Sequence, residues 1–281
     1  MTTTLSNITY AVASALGIVV EGTATGGSTT SIVDSINLTQ ADNYWRYGTA
    51  WILYDAGGLH ASPEGKFAAI SASTNSATSV TIATVTDAVA AGDRYAVGRK
   101  RYPLGKLTEK VNEALRSLGA IEMTDTTTLD TASNTVEYTL PVGANHDLRQ
   151  VWLNGASGET DIQLEGWSIE KSATGSGNLL ALPLTLDAGS DIKLVYTGPH
   201  AELQVYSDKL DDSINPQLVV CKAAIGCLLW RRQRIGDDDG ELTQQLNHFQ
   251  DELINMIAKD PVRLPTKTGK KLILSREKRL Y

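Results

Sequence analysis

The hydrophobic period changes repeatedly along this chain, which limits the folds open to it. Leu5, Ile8, Val12 and Leu16 recur at steps of three and four, the spacing of one helical face. From Thr23 to Gly98 that period gives way to Thr/Val/Ile runs such as ATGGSTTSIV, YGTAWILYDAGG and TNSATSVTIATV, separated by Gly, Asn, Ser and Pro. Alternation between turn residues is the pattern of short strands. Helical spacing returns at Leu104, Leu107, Val111, Leu115 and Leu118, between Pro103 and Gly119. A second β-like stretch follows from about Thr126 to Gln204, with TVEYTLPV, RQVWLNG, DIQLEGWSIE, NLLALPLTL and SDIKLVYTG at regular intervals. Two more helices are then predicted. One carries Ile214, Leu218, Cys221, Ile225 and Leu228 after an Asp212-Ser213 cap, and the other Leu242, Leu246, Phe249, Leu253 and Met256/Ile257 before Asp260-Pro261.

The expected fold class is therefore α+β: a helical bundle with two inserted β-sandwich or barrel-like blocks and an extended C-terminal arm. The expected boundaries are a bundle helix in 1–22, a β-rich block in 23–100, a bundle helix in 101–120, and a second sandwich-like block in 121–208. A helical hairpin in 209–259 and a basic arm in 260–281 complete the chain.

Composition narrows the function classes. At 281 residues and 42% hydrophobic, the chain is long enough to bury a sizeable core. Its apolar runs are short: AVASALGIVV is broken by Ser14 and Gly17, and VVCKAAIGCLLW by Lys222. Neither reaches the roughly 20 residues of a membrane span. The start MTTTLSNITY lacks the basic region of a secretory signal, so folding where the chain is made is expected. Cys221 and Cys227 are six apart on a predicted helix, too far for a disulfide, and read as buried hydrophobes.

Signatures of catalysis are missing from the sequence. It has neither G-x-S-x-G nor H-E-x-x-H, and TKTGKK lacks the first glycine and the Ser/Thr of a phosphate loop. His60, His146, His200 and His248 lie in different elements. Asp237, Asp238, Asp239 and Glu241 are too closely spaced for a calcium loop and fit a solvated turn with a helix cap. No cofactor, metal or catalytic residue is predicted. Paired carboxylates roughly 5–10 Å apart would be needed for glycan cleavage, and the acids here sit mostly at turns and caps. The aromatic group Tyr44, Trp45, Tyr47 and Trp51 offers a different possibility, stacking on sugar rings, although large aromatics between strands more often fill a core.

The C-terminus departs from the rest. Residues 261–281 hold Arg263, Lys267, Lys270, Lys271, Arg276, Lys278 and Arg279 against Glu277, a net +6 in a chain of net −7, so the other 260 residues carry −13. Within this arm Leu272, Ile273 and Leu274 read as a short strand, and Pro261 and Pro265 stiffen its lead-in. A strand-forming basic arm suits addition to the edge of a partner's sheet.

The phrases GTATGGSTTSIVDS, DNYWRYGTAWILYDAGG, PEGKFAAIS and DAVAAGDRYAVG, followed by LTEKVNEALRSLG, resemble the opening of tailed-bacteriophage neck proteins. The late helices INPQLVVCKAAIGCLLW and LTQQLNHFQDELINMIA, with the tail beyond them, resemble head–tail adaptors, or connectors. This resemblance implies a non-enzymatic structural component of the virion neck, assembled in the host cytoplasm. It implies a homo-oligomeric ring, expected in twelve copies, that binds the portal protein and continues the DNA channel toward tail, nozzle or fibre proteins. Genomic DNA would pass through the lumen without sequence-specific binding, and no membrane would be involved. The arm from Arg263 to Arg279 would dock on the portal. Leu107, Val111, Leu115, Leu218, Ile225, Leu246, Phe249 and Leu253 would pack the helices of the ring wall. The alternative is a receptor-binding, fibre or decoration protein whose β blocks bind glycans.

Overall fold

The computed structural model describes residues 3–58, 61–132, 134–145, 147–153, 161–171, 177–186, 188–235 and 240–259. These fall into two compact units, one built from 3–118 with 201–259 and the other from 119–200.

In the first unit, helix α1 (Leu5–Ala15) starts at Thr4, whose hydroxyl accepts the Asn7 N–H at 3.4 Å. Seven strands follow: β1 (Val19–Thr23), β2 (Gly26–Ser28), β3 (Ser31–Val33), β4 (Thr49–Tyr54), β5 (Phe67–Thr74), β6 (Ser79–Ile82) and β7 (Arg94–Gly98). They form one antiparallel sheet in the order β1-β7-β4-β5-β6-β3-β2. The central strands β4 and β7 read as near-continuous apolar runs because both of their faces are covered. Ala50, Ile52, Tyr95 and Val97 enter a core with Ile32, Trp45, Ile70 and Val80. Trp51 points to the other face, where its indole N–H donates to the Thr9 hydroxyl of α1 at 3.1 Å. Close approach fixes two glycines here. A Cβ on Gly48 would lie 2.0 Å from the Gly98 carbonyl oxygen, and one on Gly98 would lie 3.0 Å from the Trp51 ring.

Asp34 is the polar pin of this core. Its carboxylate accepts the Tyr95 hydroxyl at 2.8 Å, the Ile36 N–H at 2.8 Å and the Asn37 side-chain amide at 2.8 Å. Burial alone would raise its pKa, but the bonds from Asn37, Ile36 and Tyr95 outweigh burial and hold it below the usual carboxylate range. Burial and the Asp34 charge together push the Tyr95 phenol up.

Helix α2 (Leu104–Ser117) follows Pro103 and ends before Gly119 at φ +84°. The second unit then begins with β8 (Ala120–Asp130), β9 (Glu137–Thr139), β10 (Leu148–Leu153), β11 (Ile162–Leu164), β12 (Ser168–Lys171), β13 (Asn178–Ala181) and β14 (Asp191–Pro199). These make a four-stranded sheet, β11-β10-β14-β8, and a three-stranded sheet, β12-β13-β9. Both contribute to one core that includes Leu129, Tyr138, Leu148, Trp167, Leu180 and Leu194.

The barrel-like expectation is corrected by this topology. No sheet closes on itself or curls strongly among the described residues: β1 and β2 stay as the edges of the first sheet, and no ladder joins them. The physical reason lies in strand length and partition. β2 is a three-residue Gly-Gly-Ser segment, and the second unit divides its strands, several only three or four residues long, between two sheets. Closure needs a continuous ladder round the whole circumference.

The chain returns to the first unit for α3 (Pro216–Ile235) and α4 (Gly240–Lys259). α3 begins later than the Asp212-Ser213 cap predicts. Asp211 accepts the Ser213 N–H at 2.8 Å within the preceding turn, Asn215 accepts the Gln217 N–H at 3.0 Å, and Pro216 takes the first helical position. α3 packs against α1, α2 and α4, and α1 also meets α2. Asn112 of α2 clamps the returning chain, donating to the Leu203 carbonyl at 2.8 Å and accepting its N–H at 2.9 Å.

Candidate functional site

The candidate site lies where the end of β7, the turn before β4 and the last turns of α3 meet in the first unit. Leaving β7, the chain runs through exposed Arg99, Lys100 and Arg101 before Tyr102 and Pro103 start α2. The turn before β4 is held by Trp45, which is 1% exposed and donates from its indole N–H to Gln40 at 2.9 Å. Asn43 and Tyr47 flank it with positive φ of 60° and 66°, and the Trp45 N–H is accepted by the Ser73 hydroxyl at 3.2 Å. Tyr44 is thereby set beside Arg99, whose guanidinium carbon lies 4.8 Å from the Tyr44 ring centroid. From α3, Arg234 lies 5.0 Å over the Trp230 ring, and Lys106 of α2 lies 5.3 Å from the same ring.

Asn43, Tyr44, Arg99, Trp230 and Arg234 are among the residues that line an open cleft of about 740 Å³. Its described lining carries five cations (Arg99, Lys100, Arg101, Arg231 and Arg234), two aromatics (Tyr44 and Trp230) and Asn43, with no carboxylate. Basic residues in the last turn of α3 complement the helix dipole. That accounts for Arg234 but not for the convergence of Arg99, Lys100 and Arg101 on it. Beside the cleft, Tyr102 is 1% exposed; burial pushes its phenol up, against the pull of the Arg231 and Arg101 charges. The arrangement is suited to holding an anion.

A second cluster has a structural role. Lys66, 6% exposed, donates to the hydroxyls of Ser62 and Thr86 and lies 3.6 Å from Asp87. Bonds from Ser62 and Thr86, with the Lys66 charge, hold the Asp87 carboxyl below its usual range. Its contacts tie the loops that carry Ser62 and Thr86 together.

The predicted site residues fall in three places. Leu107, Val111, Leu115, Leu218, Leu246 and Phe249 are buried inside the chain's own bundle, whereas Ile225 and Leu253 are half-buried. Trp45 and Trp51 are core residues, and Tyr47 is 60% exposed with Arg46 over its ring at 4.7 Å. The whole arm, with Arg263, Lys267, Lys270, Lys271, Leu272, Ile273, Leu274, Arg276, Lys278 and Arg279, lies outside the described residues, as do His60, His146 and Asp237–Asp239. His200 is buried and His248 exposed. Among the described residues no His/Cys/Asp/Glu group could hold a metal, and no helix is long and apolar enough to cross a membrane.

Sequence reasoning missed the cleft. Its signals were the runs GRKRYP at 98–103 and WRRQR at 230–234, separated by more than a hundred residues and joined only by the bundle. No protein-family model matches the chain, and no curated protein matches it.

Proposed function

We propose that the protein is a structural component of a tailed-bacteriophage virion, a head–tail adaptor that binds the portal as a ring and extends the DNA channel toward the tail. The observation that carries this reading is the far end of α4. Ile254 and Ile257, one turn apart, are 66% and 49% exposed immediately before the basic, proline-broken segment 260–281. An apolar helical face running into a cationic arm is a surface for protein contact. A bundle with its own core supports the reading, because such a body can add to a preformed ring without refolding. Glycan binding through Tyr44–Trp51 is less favoured, since both tryptophans of that group are packed inside.

The test is to mix the full chain, or a chain ending at Lys259, with the candidate portal ring and weigh the products by native mass spectrometry. A stoichiometric ring formed by the full chain and lost on truncation is expected. If neither chain adds to the portal, the adaptor assignment falls.

A further inference from the structure

Arg99, Lys100 and Arg101 converge on the end of α3 for no reason the helix dipole supplies. No ion pair joins Arg99, Lys100, Arg101 or Arg234 to a carboxylate among the described residues, in a chain whose net charge is −7. Holding like charges together in one cleft is unfavourable unless an anion joins them. Two of the guanidiniums are laid on aromatic rings, Arg99 on Tyr44 and Arg234 on Trp230. Stacking of this kind fixes the guanidinium plane and leaves its N–H edge for a bidentate oxyanion.

We propose that this cleft binds the phosphodiester backbone of nucleic acid and does not read its bases. Three features select that ligand. Arg99, Lys100 and Arg101 follow one another along a connecting segment, and Arg231 and Arg234 stand one helical turn apart, so the cations form rows that can follow a polymer charged at every unit. The rings of Tyr44 and Trp230 already carry cations, which removes the stacking platforms that would hold bases. An acidic peptide would need apolar seats as well as charge to dock with specificity, and those same covered rings are the aromatic surface of the cleft. Charge is the handle that remains. The inference stands on the cleft alone, so portal binding could fail and leave it intact.

The experiment is fluorescence anisotropy on the full chain with a labelled thirty-nucleotide oligo(dT) and with a duplex of the same length, titrated across sodium chloride concentrations. Three proteins are compared: the parent, the cleft variant Arg99→Gln/Arg101→Gln/Arg234→Gln, and the arm variant Lys270→Gln/Lys271→Gln. Circular dichroism checks that each is folded. The cleft variant should lose at least about tenfold in affinity, and its log–log salt slope should become shallower by about 2 to 3, close to one per cation removed. The arm variant should keep the cleft's share of binding. Arg99→Lys/Arg101→Lys/Arg234→Lys, which keeps the charge but not the bidentate edge, should keep the parent's salt slope while losing part of the affinity, and duplexes of different sequence should bind alike. An unchanged affinity and slope in the glutamine variant overturns the proposal. So does displacement of the DNA by a Glu-rich peptide at lower charge-equivalent concentration than unlabelled DNA, which would assign the cleft to an acidic protein segment.

Discussion

α3 and α4 are consecutive helices of 20 residues each, yet they serve the fold in different ways. α3 is apolar on several sides and touches α1, α2 and α4; Val219, Cys221, Ala223, Ala224 and Cys227 are all fully buried. Its small residues let neighbours approach, and a Cβ on Gly226 would already lie 3.2 Å from the Lys110 side chain. α4 buries one stripe, Leu242, Leu246 and Phe249, and its principal helical contact is with α3. The difference teaches where the chain has freedom. A helix surrounded by others is fixed by packing, whereas a helix packed along one stripe keeps its outer face for something else.

The same substitution placed on both helices gives the widest separation. Ala224 is 0% exposed, so Ala224→Asp buries a carboxylate with no partner and should cost more than about 4 kcal/mol, a large share of an ordinary domain's stability. Ala258, exposed on the last turn of α4, should tolerate Ala258→Asp at a cost of about 1 kcal/mol, from helix propensity and the dipole. Urea denaturation followed by circular dichroism decides it. Equal losses in the two variants would show that the contrast between the helices is wrong.

How far the sequence revealed all this depends on whether the information is local. The helices were legible because Leu107, Val111 and Leu115, or Leu242, Leu246 and Phe249, carry their facing direction in their spacing. The strands were legible as strands, but their partners were not. β7 pairs with both β1 and β4, which come much earlier in the chain, and alternation does not say whether a sheet closes. Trp45 and Trp51 looked available for sugars because spacing does not distinguish a packed ring from an exposed one; their indole bonds to Gln40 and Thr9 became visible only with the fold. The cleft needed three segments brought together, which no single window contains.

The thiols sharpen the picture of α3. Burial pushes Cys221 up to about 12, with the Glu252 charge adding to it, and burial likewise pushes Cys227 up to about 12. Neither should react with a disulfide reagent at pH 8 in the native protein, and both should react once urea opens the bundle. The sign of the pH dependence follows. The unfolded chain loses these protons from about 9.0, while the folded chain keeps them to about 12, so stability is flat below that range and declines across it. Rapid labelling of the native protein at pH 8 would place at least one thiol outside the packed core.

A small effect on stability should come from the outer face of α4, where it also reports most on function. Ile254 and Ile257 are three apart and share a face, the first mostly and the second about half open to solvent in the single chain. Ile254→Ser/Ile257→Ser removes apolar surface of which the isolated fold buries only a third to a half, so the unfolding free energy from urea should fall by no more than about 1 to 2 kcal/mol. An assembled ring that covers this face would lose the remaining burial of two isoleucines per contact, on the order of 1 kcal/mol or more for each. The double variant should therefore fold as the parent does and fail to join the portal in native mass spectrometry. If it joins with unchanged stoichiometry and salt resistance, the exposed isoleucines are ordinary surface residues, and any contact with the portal must be carried by the arm.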